Sequence, residues 1–113
     1  MLSIFCFIFG CQEVLAPTVI QVKDACPDPE CWIEVFAEKY DFDVNFAKSV
    51  AICESQMGKF KRNWEGSSAE GLFMFMPNTF KENCSGDIKS DKNQAECFMH
   101  LFKKHPCYWK DCI

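Results

Sequence analysis

The sequence predicts a small, mainly α-helical domain that is crosslinked by disulfides. Apolar residues recur at spacings of three and four along most of the chain, and capping residues, glycines and prolines separate these stretches. The chain of 113 residues is long enough for one modest core, and its 12 phenylalanines and three tryptophans predict that ring packing fills that core. Nine cysteines in so short a chain indicate an oxidising compartment.

Two helices are predicted in the first half of the chain. The first covers about 29–40, because Asp28 is a capping residue and a proline occupies the first turn. The second covers about 44–57, with Asp43 as its cap and Gly58 as its stop. The polar stretch that follows is predicted to be a loop.

Two further helices are predicted in the second half. Residues 71–76 are too short to classify by periodicity, and a short helix is expected over 77–84. The last helix, capped by Ser90 or Asp91, runs to about residue 104, where Pro106 closes it.

The N-terminus predicts export. The apolar run 2–9 is too short to span a bilayer but has the length of a signal-peptide core, and Val14-Leu15-Ala16 supplies small residues before a cut. We therefore expect a signal peptide over 1–16, a domain over 17–113, and a secreted or periplasmic protein. Lipid anchoring through Cys11 is the alternative, since Ile8-Phe9-Gly10-Cys11 loosely resembles a lipobox.

Composition narrows the range of partners. The net charge of −4 argues against nucleic acid, which calls for a clustered basic face. The cysteine spacing lacks the paired C-x2-C knuckles of structural zinc, so we expect no metal. We also expect no cofactor, no stable membrane span and a monomer. The one basic cluster, 58–62, is either a solvated loop or an anion-facing lip of a cleft.

Glu54 is the candidate catalytic residue. Ala47, Val50 and Glu54 follow the spacing of one helix face. A carboxyl group aligned with core residues is partly desolvated, which raises its pKa and makes it a proton donor near neutral pH. The alternative is a surface glutamate at a fraying helix end.

Two short motifs carry a resemblance to a known family. The first is Glu54-Ser55 at a helix end, and the second is Gly71-Leu72-Phe73-Met74-Phe75-Met76-Pro77-Asn78-Thr79. In this order, they resemble the lysozyme-like superfamily, specifically the SLT-type lytic transglycosylases and goose-type lysozymes. The resemblance covers about residues 32–109 and implies a small lysozyme-like domain. Asp91-Lys92-Asn93-Gln94 resembles the segment that packs behind the site in that family.

The resemblance implies cleavage of peptidoglycan between N-acetylmuramic acid and N-acetylglucosamine. Glu54 would be the single acid/base, and Ser55 would orient it or the substrate. Gly71 would allow close backbone approach at the cleft floor. The segment expected to bind the glycan consists of Ser55, Gly71, Leu72, Phe73 and Met74. Glu65 and Glu70 are the nearest candidates for a second carboxylate, although both also fit surface loop charges.

Some residues depart from the family pattern. Met74 stands where glutamine is frequent, Glu70 stands where tyrosine is frequent, and the later Tyr-Asn-Ala-Gly-type motif is missing. Tyr108 or Trp109 would then line the cleft, or pack in the core. A catalytically inactive module that binds glycan or protein is therefore the alternative to an enzyme, and lyase and hydrolase chemistry both stay open.

Disulfide pairing is predicted from helix faces and from the family. Cys53 precedes the proposed acid, as a cysteine does in related small muralytic domains, and Cys97 is expected to face inward, so we predict that they pair. Local closures are predicted for Cys26 with Cys31 and Cys107 with Cys112, with Cys84 left over. The alternatives are an unpaired buried Cys53 thiol and other closures over the short gaps.

Overall fold

Four α-helices and a C-terminal 3₁₀ helix make up the part of the chain that the computed structural model describes, residues 26–62 and 66–113. In order they are α1 (Pro29–Lys39), α2 (Val44–Ser55), α3 (Pro77–Asn83), α4 (Asp91–Lys104) and the 3₁₀ helix (Pro106–Cys112). α1 packs against both α2 and α4, and the 3₁₀ helix packs against α2 and α4. The predicted mainly α fold with disulfides is confirmed. The expected signal peptide over 1–16 and the lipid-anchor residue Cys11 lie outside the described residues.

Side-chain caps fix where the helices begin. Asp28 accepts a hydrogen bond from the backbone N–H of Cys31 at 2.8 Å, and the Asp43 carboxylate accepts two from the first turn of α2 at 3.0 and 3.1 Å. Ser90 rather than Asp91 caps α4, because its hydroxyl accepts from the Asn93 N–H at 3.2 Å. Each cap satisfies an N–H group that the helix itself leaves without a partner.

α2 ends at Ser55, two residues before the predicted end. Gln56 and Met57 both adopt left-handed backbone conformations, with φ of 52° and 59°, and Gly58 follows with φ of 87°. Because a left-handed residue turns the chain away from the helix axis, the helix stops before Gly58 is reached. This early stop leaves Glu54 in the final turn of α2.

Aromatic rings fill the core, as the composition predicts. Phe73 and Phe98 stack with ring centroids 4.0 Å apart, and Trp109 packs edge-on against Phe98 at 4.9 Å and against Phe75 at 5.4 Å. Trp109 is 2% exposed and its indole N–H donates to the carbonyl oxygen of Phe73 at 2.8 Å. The sequence predicts Pro106 as the stop of α4, whereas in the structure it is also the first residue of the 3₁₀ helix that carries Trp109.

Residues 70–75 form a tight hairpin that Gln94 of α4 holds from inside the core. Glu70 and Phe75 exchange two backbone hydrogen bonds of 3.0 Å. The Gln94 side chain is 0% exposed; its amide nitrogen donates to the carbonyl of Glu70 at 2.9 Å, and its oxygen accepts from the N–H of Phe73 at 2.8 Å. Gly71 has φ of 93°, and a Cβ there would collide with the Gln94 amide. The close approach that requires a glycine is therefore to Gln94.

Three disulfides are present in the described residues: Cys26–Cys31, Cys53–Cys112 and Cys84–Cys97. The first confirms the predicted local closure. The predicted Cys53–Cys97 and Cys107–Cys112 pairs are wrong, as is an unpaired Cys84, and Cys107 is a free, exposed thiol. The physical reason is helix orientation: Cys97 lies on the buried side of α4 facing the end of α3, whereas Cys53 lies on the exposed side of α2 facing the 3₁₀ helix.

Replacing Gln94 should destabilise the fold more than replacing an exposed amide. Gln94→Ala would leave the buried N–H of Phe73 and the carbonyl of Glu70 without their partners, so we expect a loss of at least about 2 kcal/mol in the free energy of unfolding. Chemical denaturation followed by circular dichroism measures it. The control is Asn78→Ala, which removes an exposed amide from α3. Equal stability of the two variants would contradict the role given to Gln94.

Non-reducing peptide mapping should recover a peptide pair that joins Cys53 to Cys112 and another that joins Cys84 to Cys97, because these half-cystines face each other across their elements. The peptide that carries Cys107 should react with a thiol reagent without prior reduction. A peptide joining Cys53 to Cys97 would show that the connectivity described above is wrong.

Candidate functional site

Glu54 lies in the final turn of α2 at the border between core and solvent. Val50 and Ala47, one and two turns earlier on the same face, are 0% exposed, and Glu54 itself is partly buried. The stripe that singled out Glu54 in the sequence is therefore a buried face, with the carboxyl group at its outer end. Glu54 lies at the helix end, as the alternative of a surface glutamate expects, but it is partly buried there.

Ser55 attaches the end of α2 to the hairpin. Its side chain is 1% exposed, and its hydroxyl donates to the carbonyl oxygen of Leu72 at 2.7 Å and accepts from the N–H of Gly58 at 2.8 Å. These contacts are with backbone groups of the protein. Ser55 therefore sets where the helix end sits, and through the helix end where Glu54 points.

Glu54 holds its proton more tightly than an ordinary glutamate. Burial, which disfavours the charged form, and the nearby negative charge of Asp111 together raise its pKa to about 7. The direction is the one that the apolar stripe predicts. At neutral pH a substantial fraction of the protein carries a protonated Glu54, which is the form that a general acid needs.

Asp111 is a functional candidate that sequence reasoning missed. It lies on the 3₁₀ helix directly before Cys112, and Glu54 directly follows Cys53. The Cys53–Cys112 disulfide, with Cα atoms 5.7 Å apart, thus brings the two carboxyl residues into one neighbourhood. The Cys53 sulfur is also 4.0 Å from the carbonyl oxygen of Asp111. The correct pairing of the cysteines would have identified Asp111 from the sequence.

The residues expected to bind the glycan are divided between the core and the surface. Leu72 and Phe73 are 0% exposed, so their side chains belong to the core and not to a ligand-facing surface. Gly71 is buried against Gln94 and Ser55 against the hairpin. Of this set, Met74 has a partly exposed side chain, and its backbone in the hairpin is left-handed, with φ of 50°.

A small groove runs between the hairpin and the 3₁₀ helix. It has a volume of about 90 Å³ and is lined by Met74, Phe75, Met76, Thr79, Tyr108 and Trp109. Tyr108 is 53% exposed, whereas Trp109 is buried in the core. Of the two aromatic residues proposed for the cleft, Tyr108 therefore offers a ring to solvent and Trp109 forms the wall behind it.

Glu70, one of the two carboxylates nearest to Glu54 in sequence, is engaged in an ion pair. Glu70 lies in the hairpin and its carboxylate is 3.1 Å from the ammonium group of Lys89, in an ion pair at the surface. Glu65 lies outside the described residues. In the basic cluster, the ammonium group of Lys61 is 3.1 Å from the carboxylate of Asp91, so this lysine is engaged in an ion pair with α4.

Glu96 provides a useful contrast with Glu54. Burial alone would raise its pKa, but hydrogen bonds from Lys39 at 2.9 Å and Tyr40 at 2.7 Å lower it below its usual value. Together with His100, Tyr40 and Glu96 line a second cavity of about 420 Å³. At neutral pH Glu96 is an ionised group that links α1 to α4, whereas Glu54 is suited to carrying a proton.

Neither a metal site nor a membrane-spanning helix is found among the described residues. No cluster of three or more histidine, cysteine, aspartate or glutamate side chains in this part of the chain is arranged to hold a metal ion. None of its helices has the length and apolar character needed to cross a membrane.

Protein-family models, curated proteins and solved structures were each compared with this chain, and none matches it.

The stability of the protein should depend on pH through Glu54. Because its pKa is raised on folding, its contribution to stability is complete below its unfolded pKa of about 4.3 and is lost as the pH rises through about 7. Denaturant unfolding between these pH values should show a smaller fall in the free energy of unfolding for Glu54→Gln than for the wild type. Glu82→Gln, which removes an exposed carboxyl from α3, should retain the wild-type slope. A wild-type slope in Glu54→Gln would refute the raised pKa.

Proposed function

We propose that this protein is a secreted peptidoglycan-cleaving enzyme that uses Glu54 as its acid/base on the bond between N-acetylmuramic acid and N-acetylglucosamine. The observation that carries the proposal is the partly buried Glu54 carboxyl, whose pKa of about 7 keeps it protonated near neutral pH. Glycoside cleavage begins with a proton donated to the leaving oxygen, so a carboxyl group of this kind is its central requirement.

One carboxyl group can serve both halves of the reaction. Glu54 donates its proton to the glycosidic oxygen, and the C1–O bond breaks with its electron pair going to that oxygen. The sugar left behind has oxocarbenium character. The Glu54 carboxylate then takes a proton from a hydroxyl nucleophile as that oxygen bonds to C1, which returns the carboxyl to its starting state.

The identity of the nucleophile distinguishes two reaction classes. In a lyase it is the 6-hydroxyl of the muramic acid, and the product is a 1,6-anhydro sugar. In a hydrolase it is water, and the product has a reducing end. A second carboxylate that positions the water favours hydrolysis.

The groove beside the hairpin supports a glycan as the ligand. Aromatic faces suit the apolar faces of sugar rings, and the exposed ring of Tyr108 stands at this groove together with Met74 and Met76. Tyr108 and Asp111 lie on the same 3₁₀ helix, which connects the groove to the neighbourhood of Glu54, although Glu54 and Asp111 do not line the groove. We place the bound sugars along this helix.

An inactive glycan-binding module is the second candidate function. The observation that favours it is that the motif segment presents few polar side chains: Leu72 and Phe73 are buried, and Met74 stands where the family often has glutamine. The binding groove in that case would be the same, but Glu54 would not be used for chemistry.

Glu54→Gln should abolish peptidoglycan cleavage while leaving the fold intact. Glutamine keeps the shape of the side chain but cannot donate the proton, and losing general acid catalysis should lower the rate at least ~10²-fold. The measurement is the loss of turbidity of a peptidoglycan suspension, with folding of each variant checked by circular dichroism. Glu82→Gln is the matched control and should clear the suspension at the wild-type rate.

The outcomes separate the two candidate functions. A wild-type protein that binds peptidoglycan in a pull-down but never clears the suspension would support the binding module. Substantial clearing by folded Glu54→Gln would remove Glu54 from the role of the acid.

A further inference from the structure

Glu54 and Asp111 each adjoin one half of the same disulfide. Glu54 follows Cys53 at the end of α2, and Asp111 precedes Cys112 at the end of the 3₁₀ helix. We propose that Asp111 is the second carboxylate of the Glu54 site, a positioning residue that acts through Glu54, and that the Cys53–Cys112 disulfide is the device that holds the two together. This inference rests on the proposed function for its catalytic meaning, but the pairing itself can be tested without any activity.

The covalent geometry restricts how far the two carboxyl groups can separate. The Cα atoms of Cys53 and Cys112 are 5.7 Å apart, and Cys53 Sγ is 4.0 Å from the carbonyl oxygen of Asp111. Each carboxyl residue is one peptide bond from a fixed half-cystine. Neither can move away by more than its own side-chain torsions allow without distorting an anchored backbone.

A second anchor on the 3₁₀ helix makes this arrangement rigid. Trp109, two residues before Asp111, is 2% exposed and donates from its indole N–H to the carbonyl of Phe73 at 2.8 Å. On the other side, Ser55 follows Glu54 and donates to the carbonyl of Leu72 at 2.7 Å. Glu54 and Asp111 thus each lie close in sequence to a residue that donates a hydrogen bond to the hairpin, and the two accepting carbonyls belong to adjacent residues.

The charges around the site leave Asp111 as the group that acts on Glu54. Among the described residues, Asp111 is the charged side chain whose field raises the pKa of Glu54, after the effect of burial. Lys110 is the adjacent cation on the 3₁₀ helix. From the other elements, Lys48 of α2 pairs with Glu34, Lys61 with Asp91, and Glu70 of the hairpin with Lys89.

The chemical consequence is that Asp111 keeps the proton on Glu54. Ionising Glu54 beside an existing negative charge costs free energy in addition to desolvation, so the protonated acid persists to higher pH. Asp111 would in this way extend the pH range of catalysis without itself contacting the reacting atoms. Removing its charge should therefore change the pH profile of kcat and leave KM nearly unchanged.

The direct experiment is a pH titration of the Glu54 carboxyl carbon by NMR, carried out in a Cys107→Ser background so that the free thiol cannot exchange with the disulfides. Asp111→Asn should lower the pKa of Glu54, and Asp111→Glu, which restores the charge, should return it toward the wild-type value. Glu82→Gln removes a distant exposed carboxyl and should leave the titration of Glu54 unchanged. An unchanged Glu54 titration in Asp111→Asn would overturn the proposal.

Two double variants test the role of the disulfide. Cys53→Ser/Cys112→Ser should lower the pKa of Glu54 as Asp111→Asn does, because it releases the 3₁₀ helix end, whereas Cys26→Ser/Cys31→Ser should not. Equal titrations in the two double variants would contradict a holding role for Cys53–Cys112. If Cys53→Ser/Cys112→Ser fails to fold, Asp111→Asn and Asp111→Glu still decide whether Asp111 acts on Glu54. All three disulfides remain intact in these two single variants.

Peptidoglycan clearing by the same variants separates this inference from the proposed function. As the pH rises, the clearing rate of Asp111→Asn should begin to fall at a lower pH than the rate of the wild type. At a pH above the Glu54 pKa of both proteins, the variant should be slower by about tenfold for each unit by which its Glu54 pKa is lowered. If Asp111→Asn shifts the Glu54 titration but the wild-type protein clears no peptidoglycan, the carboxyl pair is upheld and the enzyme is refuted. If the wild-type protein clears peptidoglycan but Asp111→Asn leaves the Glu54 titration unchanged, the enzyme is upheld and the carboxyl pair is refuted.

Discussion

The buried amide of Gln94 is the interaction on which the rest of the structure depends. Its two polar atoms satisfy the backbone of the 70–75 hairpin inside a largely apolar core, where an unpaired N–H or carbonyl would be costly. Gly71 permits this because it has no Cβ to occupy the space of the amide. Because α4 fixes the hairpin, two of its carbonyl groups can anchor other elements. The carbonyl of Leu72 accepts a hydrogen bond from Ser55 of α2, and that of Phe73 accepts one from Trp109 of the 3₁₀ helix.

This arrangement explains why an acid at neutral pH can exist at the surface of so small a domain. Ser55 cannot leave the hairpin, so Glu54 beside it is held partly out of water. The 3₁₀ helix is held by the same hairpin and by Cys53–Cys112, which keeps the negative charge of Asp111 nearby. Burial and the like charge act in the same direction and raise the pKa of Glu54 to about 7. Glu96 shows the opposite outcome, since its two hydrogen-bond donors stabilise the charged form.

Features that depend on neighbouring residues could be predicted from the sequence. Asp28, Asp43 and Ser90 cap helices because their side chains reach backbone N–H groups within three residues, and the stripe through Val50 indicated the side of α2 on which Glu54 lies. Features that depend on tertiary packing could not. Cys53 pairs outside that buried stripe, and its partner on the 3₁₀ helix is 59 residues away. The requirement for Gly71 arises from Gln94, a contact that has no signature in local spacing.

Mass spectrometry of the soluble products tests most directly whether Glu54 cleaves the glycan of peptidoglycan, as we propose. Purified peptidoglycan incubated with the wild-type protein should release muropeptides cut at the muramic acid C1, with 1,6-anhydro ends from a lyase or reducing ends from a hydrolase. Glu54→Gln, folded to the same extent, should release neither. A folded wild-type protein that releases no muropeptides, or a Glu54→Gln variant that releases the same ones at the same rate, would contradict the claim.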